Sequence, residues 1–344
     1  GVRRLRVSSQ SWKRATRLYF NDLLDAKDVG VRTKRVVEVL AERIAEDAPE
    51  LADAAAALAE KVFAAAKIKL SPPRGKKDAP RESGYLLFLS TSQIARLAEL
   101  AIASARDGEA LDAKTVKRIF KEAHAVDIAL FGRMVADDTD LNVDAACQVA
   151  HAISTHAAEN EYDFFTAVDD DKSRSEEEDA GAGMMGTVEF SSATMYRYAT
   201  VNLDMLVENL GDGEAALRAL EVFIKGFCLS MPTGKQNTFA NRTLPEAVVV
   251  LVRDDQPVSL VGAFEKPIRT NEADGYLARS VGALAEHARA IEDNYGLRPL
   301  TRLVVSLKDS DAVAALGERV AFTDLAGRVR DAVAPFVDAE EQDS

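Results

Sequence analysis

The sequence predicts an α+β protein, and three observations carry this. Stretches of helical apolar spacing alternate with stretches of strand-like alternation along the chain. The two periods mix most closely in the second half. Two apolar runs, 247–252 and 258–264, flank the turn Asp254-Asp255-Gln256-Pro257 and read as an antiparallel hairpin. The length, 344 residues, suits one large domain or two ordinary ones, and a hydrophobic share of 47% supplies a substantial core. No run approaches the roughly 18 apolar residues of a membrane span, and no secretory pattern opens the chain.

Residues 2–9 read as a short strand. Leu5 and Val7 share one face, and Arg4, Arg6 and Ser8 the other, because strand side chains alternate. A helix follows, with Ser9 or Ser11 as N-cap and Trp12, Ala15, Tyr19 and Leu23 as its apolar stripe. Residues 34–124 read as mostly helical. Val37, Leu40 and Ile44 mark one helix, and Leu51, Ala55, Leu58 and Val62 a second. Ile94, Leu97 and Ala101 mark a third, and Val116, Ile119 and Phe120 a fourth. Residues 71–84 are a loop by composition, and 85–89 is a short strand or the start of the next helix. Beyond these, 127–134 reads as strand and 143–156 as helix. Residues 162–168 and 187–203 are strand-like around an acidic, Gly-rich stretch. Residues 214–230 and 272–295 read as helices, 300–307 as a strand and 325–336 as a final helix. No internal repeat is present.

The net charge of −13 argues against a nucleic-acid partner, but its distribution argues the other way. Residues 1–17 hold Arg3, Arg4, Arg6, Lys13, Arg14 and Arg17 and no acid. The acids gather in 169–178 and 338–343. A phosphate backbone meets one face of a protein rather than its average, and needs cations and hydrogen-bond donors along a groove. Ser8 and Gln10 share strand parity with Arg4 and Arg6. With the helix starting near Gln10, that residue, Lys13 and Arg17 fall at i, i+3 and i+7 on one side.

Other motifs are weaker. Cys147 and Cys228 fit no zinc spacing and read as buried free thiols. His151 and His156 are five apart with no Glu following His151, so they read as core or capping histidines rather than metal ligands. Around 232–237, Gly234 offers backbone freedom and Lys235 and Gln236 offer donors, but the phosphate-loop pattern GxxxxGK[ST] is absent and a plain turn fits as well. Asp137 or Asp138 in a loop could hold a divalent metal for RNA cleavage, which makes a metal-dependent ribonuclease the rival reading. No Ser/His/Asp set, nucleotide fingerprint or cysteine nucleophile stands out, so no catalytic residue, metal or cofactor is expected.

Seven stretches, in order, carry a resemblance. They are Arg3-Arg4 through Val7-Ser8-Ser9-Gln10 into Trp12-Lys13-Arg14; Ala129-Leu130-Phe131-Gly132-Arg133-Met134; Val149-Ala150-His151-Ala152-Ile153 with Thr155-His156; Asp163-Phe164-Phe165-Thr166-Ala167-Val168-Asp169-Asp170; Glu189-Phe190-Ser191-Ser192 with Tyr196-Arg197-Tyr198; Pro232 to Gln236; and Ala263-Phe264-Glu265-Lys266. Together they resemble the CasC family, the backbone subunit of the type I-E CRISPR Cascade, from Gly1 to about residue 300. The family carries a first palm strand and a loop before the position of Gly1, so further residues are expected upstream. The thumb tip and the tail match poorly.

The resemblance implies a right-hand-like fold. An RRM-like (ferredoxin-like) palm would take 1–16 and 126–344, helical fingers 17–125 and a β-hairpin thumb about 157–189. It implies RNA-backbone contacts at Ser8, Gln10, Lys13 and Arg14, within a basic surface that includes Arg4, Arg6 and Arg17. It places Met134 and the thumb residues Phe164 and Phe165 beside a base displaced from the RNA. On the residues alone, adjacent phenylalanines on a strand face opposite ways, so one packs inward and the other needs a partner surface or a base. The implied partners are CRISPR RNA, target DNA paired to the guide, further copies of the chain head to tail, and other Cascade subunits, in the cytoplasm and with no membrane.

Overall fold

The structure, a computed structural model, describes residues 1–25, 28–73, 75, 79–135, 138–167, 184–270 and 275–343. Helices and small sheets mix throughout. β1 (Arg6–Val7) leads into α1 (Ser9–Tyr19). Ser8, rather than Ser9 or Ser11, caps this helix: it is extended, and its hydroxyl accepts a hydrogen bond from the Ser11 N–H at 3.2 Å. The strand expected over 2–9 is short: α1 takes over at Ser9, and before Arg6 the Leu5 N–H donates to the Ser154 hydroxyl at 3.0 Å.

The next part of the chain is the helical region that the apolar spacing predicts. β2 (Gly30–Thr33), α2 (Val36–Asp47), α3 (Ala55–Ala65), β3 (Leu70–Ser71), β4 (Glu82–Ser83), β5 (Leu87–Ser90), α4 (Thr91–Asp107) and α5 (Ala113–Lys121) follow one another. The stripe residues Val37, Leu40, Ile44, Leu58, Val62, Leu97, Val116 and Phe120 fill one core together with Val135 and Leu141. A capping box starts α4: the Ser90 hydroxyl accepts from the Gln93 N–H, and the Gln93 amide oxygen accepts from the Ser90 N–H. Antiparallel pairing of β2 with β5 makes 87–89 strand, while 85 and 86 lie before it.

The second half departs from expectation in three places. Residues 127–134, expected as strand, form α6 (Val126–Phe131), which ends at Gly132 with φ +76°. Asp127 through Leu130 are all buried, and a fully buried short run carries no period that separates helix from strand. Residues 143–156, expected as helix, form β6 (Cys147–Val149) and β7 (Ala152–Ser154). Each is held by partners distant in sequence, a tertiary effect that overrides alanine's helical preference. β8 (Glu161–Ala167) and β9 (Met184–Phe190) form the expected hairpin, and the strand-like stretch beyond it breaks into β10 (Met195–Tyr196) and β11 (Ala199–Val201). β7 sits between β1 and β10, antiparallel to both, and β6 pairs with β11.

α7 (Leu203–Leu210), a helix not anticipated, precedes α8 (Gly213–Leu229) and the short α9 (Gln236–Phe239). β12 (Ala247–Val252) is the third departure. It does not pair with 258–264, where Val261–Phe264 is a 3₁₀ turn, but crosses α10 (Tyr276–Tyr295) to pair antiparallel with β13 (Thr301–Ser306). Pro257 has no N–H to give a hairpin ladder, whereas β13 matches β12 along its whole length. α11 (Asp311–Leu316), β14 (Glu318–Arg319) and α12 (Phe322–Asp343) complete the chain, with β14 parallel to β13. One core joins Phe20 to α6, α7 and α8, and a second joins α8, β13 and α12. No helix among the described residues is long and apolar enough to cross a membrane.

Candidate nucleic-acid interface

The basic residues of the leading segment divide into two groups. Arg6, Gln10 and Arg14 are exposed, and Lys13 is half-buried. Because α1 begins at Ser9, Gln10 leaves the strand parity of Arg4 and Arg6 and joins the helical set with Lys13. Arg4 is tied down: its guanidinium donates to the carbonyls of Ser154 and Phe264, each at 2.6 Å. It anchors the leading strand across the sheet. Arg17 turns toward the protein, its guanidinium 5.3 Å from the Phe88 ring centroid, and burial lowers its pKa despite the nearby Asp127. Ser8 spends its hydroxyl on the cap and on Ser11.

The N-terminus of α1 is fixed by a residue that the sequence marks only as a capping candidate. The Ser9 N–H donates to His151 Nδ1 at 3.0 Å, joining α1 to the turn between β6 and β7. His156 is buried: its Nε2 accepts from the Thr194 N–H at 3.0 Å, its Nδ1 donates to the Ala157 carbonyl at 2.7 Å, and its ring stacks on Tyr276. Both histidines thus have structural roles, as expected.

Met134 is 80% exposed. Its exposure is built by its neighbours. Arg133 is buried and donates to the carbonyls of Leu141 and Phe120 and to the Gln93 amide oxygen, while the Val135 N–H donates to the Asn142 side chain at 2.6 Å. Burial lowers the Arg133 pKa to about 10. With both flanking residues fixed inward, Met134 is held outward.

On the hairpin, Phe164 opposes Thr187 and Phe165 opposes Gly186. The two rings therefore lie on opposite faces, as the sequence requires. Phe165 lies across Gly186, where an added Cβ would come within 2.8 Å of its ring. Phe164 is 63% exposed, on the face that also carries the exposed Tyr162 and Met185. The acidic tip, 169–178, lies outside the described residues.

At the hairpin base Phe190 packs edge-on against Phe239 of α9, with centroids 5.2 Å apart. This brings the 232–237 loop to the foot of the hairpin. Lys235, not Gly234, takes the left-handed conformation there, with φ +59°. Lys235 is exposed, and the Gln236 side-chain oxygen accepts from Arg242 at 2.8 Å.

Asp137 lies outside the described residues. Asp138 is paired with Lys117 at 2.5 Å and accepts from the Asp140 N–H. Cys147 and Cys228 are buried free thiols, as expected, and burial pushes them up to about 12 and about 11.

Solved structures similar to the chain include two chains of CRISPR RNA-guided surveillance complexes. One is a chain of a CRISPR RNA-guided surveillance complex, pre-nicking, with 36% sequence identity and a TM-score of 0.83, covering 96% of this chain and 90% of that one. The other is a chain of a CRISPR RNA-guided surveillance complex, with 31% identity and a TM-score of 0.73 over the same shares. No curated protein matches. The profile of the CT1975-like protein family matches residues 1–328, nearly the whole length, and the chain belongs to that family.

Proposed function

We propose that this chain is the repeating backbone subunit of a type I-E CRISPR surveillance complex, binding the guide RNA without doing chemistry on it. One observation carries the reading: 96% of the chain aligns, at 36% identity, with a chain of a CRISPR RNA-guided surveillance complex. In this reading 1–16 and 126–344 form an RRM-like palm, 17–125 the fingers and 157–189 the thumb. Arg6, Ser8, Gln10, Lys13 and Arg14 follow the RNA backbone, with Arg4 and Arg17 bracing that surface from behind. Lys235 and Gln236 extend the donor set at the foot of the thumb.

Met134 and Phe164 flank a displaced base, and Phe165 stiffens the thumb. The exposure of Met134, at 80%, and of Phe164, at 63%, supports this, because a large apolar side chain held in solvent by fixed neighbours is poised for contact. Copies stack head to tail along the guide, since a heterologous contact that does not close propagates. The guide pairs with target DNA, other Cascade subunits cap the assembly, and the complex works in the cytoplasm.

Size-exclusion chromatography with light scattering, with and without a CRISPR RNA, tests the reading. The RNA should convert small species into a discrete large complex that salt weakens. RNA that leaves the elution unchanged at every salt concentration would overturn it.

A further inference from the structure

Arg197 is a half-buried cation with no carboxylate partner among the described residues. It lies between β10 and β11, with its guanidinium carbon 3.6 Å from the Trp12 ring centroid and 4.2 Å from that of Phe227. Two aromatic faces thereby fix the plane of the group. Its Nε and Nη2 are buried and have no hydrogen-bond partner among the described residues. Arg133 is the instructive contrast: it is buried too, but its three nitrogens are spent on carbonyls and on Gln93. Among the described residues no carboxylate acts on Arg197. Burial is the main influence and lowers its pKa to about 10, so the group stays charged at neutral pH.

An unpaired buried charge is costly to keep, and proteins normally satisfy one with a counter-ion. A side chain of this kind is also reachable. Arg197 is only partly buried as a residue, and of its three nitrogens Nη1 alone is not both buried and unpartnered. The guanidinium is therefore approached at Nη1. Trp12 stands immediately before Lys13 and Arg14 on α1, and Phe227 stands in the last turn of α8, which leads to Lys235. The exposed cations Arg14 and Lys235 thus follow, along the chain, the two residues that grip Arg197.

We infer that Arg197 takes one backbone phosphate of the bound RNA at Nη1 of its guanidinium, with Trp12 and Phe227 holding the group in plane. The inference rests on the guide-RNA reading above. It adds a recessed contact behind the exposed cations, one that recognises phosphate rather than base and so is blind to RNA sequence.

Arg197→Met keeps the bulk of the side chain and removes the charge. Binding of a single-stranded guide RNA is measured across salt for wild type, Arg197→Met, and Lys13→Ala with Arg14→Ala. The expected result is a free Arg197→Met protein with Tm unchanged or raised. Its RNA affinity should fall about tenfold at moderate salt, for any RNA sequence, and its log–log salt slope should fall in magnitude by about 0.7. A folded Arg197→Met with wild-type affinity and slope overturns the inference. If the double variant then still loses slope, the guide-RNA reading stands alone; if wild type binds no RNA, both fall.

Trp12 is the only tryptophan of the chain, so its emission reports on the same site, including in the event that Arg197→Met does not fold. Emission should change during an RNA titration with the midpoint of binding. Emission that stays constant while RNA binds, or that responds instead to protein concentration without RNA, overturns the inference, the latter in favour of an acid from a second copy.

Discussion

Asp127 shows how much one buried side chain can set at a junction. Its carboxylate accepts from the Gly30 N–H at 3.0 Å, and only a glycine fits there, since a Cβ would come within 2.7 Å of the Phe88 ring. Burial pushes its pKa up to about 6, and the nearby Arg17 offsets this only in part. A carboxyl whose pKa is raised by folding binds its proton more tightly in the folded state. Its stabilising contribution is complete below the ordinary value and is lost as pH rises through about 6. The rise from 3.8 to about 6 corresponds to about 3 kcal/mol at neutral pH. Asp127→Asn keeps the acceptor for Gly30 and cannot ionise. Denaturant melts from pH 4 to 7.5 should show the variant gaining on wild type as pH rises, with a plateau above pH 7. Parallel profiles would mean that the carboxyl is not held in its neutral form.

At the scale of elements, the hairpin separates two roles that the sequence leaves together. Phe165 covers Gly186, so Phe165→Ala should cost about 0.5–1 kcal/mol of local cross-strand packing. Phe164 is 63% exposed, so Phe164→Ala should leave the melting curve of the free protein unchanged and impair assembly on guide RNA. A large loss of Tm from Phe164→Ala would make that ring part of a core instead. Long elements with one wet face were legible in the sequence: α2, α4, α8 and the hairpin show their period because solvent supplies the contrast. α6 was not, because Asp127 through Leu130 are all buried. β6 and β7 were not, because their partners in β11, β1 and β10 are distant in sequence. The site divides the same way. The run of cations from Arg3 to Arg17 stands out in the sequence, but nothing local marks Arg4 and Arg17 as bracing groups or Arg197 as the recessed one. Those roles depend on Ser154, Phe264, Phe88, Trp12 and Phe227, which the fold alone brings near.

At the scale of the molecule, the chain distributes its apolar residues over separate cores rather than one. The core of α2, α3, α4 and α5 draws on residues from Val36 to Leu141, while α8 serves the cores on its two sides with Phe223 and Leu217. Contact between the helical region and the rest runs through polar groups as well as apolar ones: Asp127 reaches Gly30, and Arg133 reaches Phe88, Gln93 and Phe120. Separate cores joined by a polar seam should open separately. Leu97 is fully buried in the helical core, and Leu97→Ala should cost about 2–5 kcal/mol there. Hydrogen exchange should then accelerate across α2, α3, α4 and α5 while amides of α8, β12 and β13 keep their wild-type rates. Equal acceleration in both regions would show one cooperative unit, with Arg133 and Asp127 coupling the cores tightly. Selective acceleration would mean that the helical region can loosen while α8 and the sheet of β12 and β13 stay formed. The basic surface of α1, which meets the end of α8 through Thr16 and Ser230, would then persist through local opening of the helical region, and the proposed guide binding would tolerate damage there that the free protein's overall stability does not.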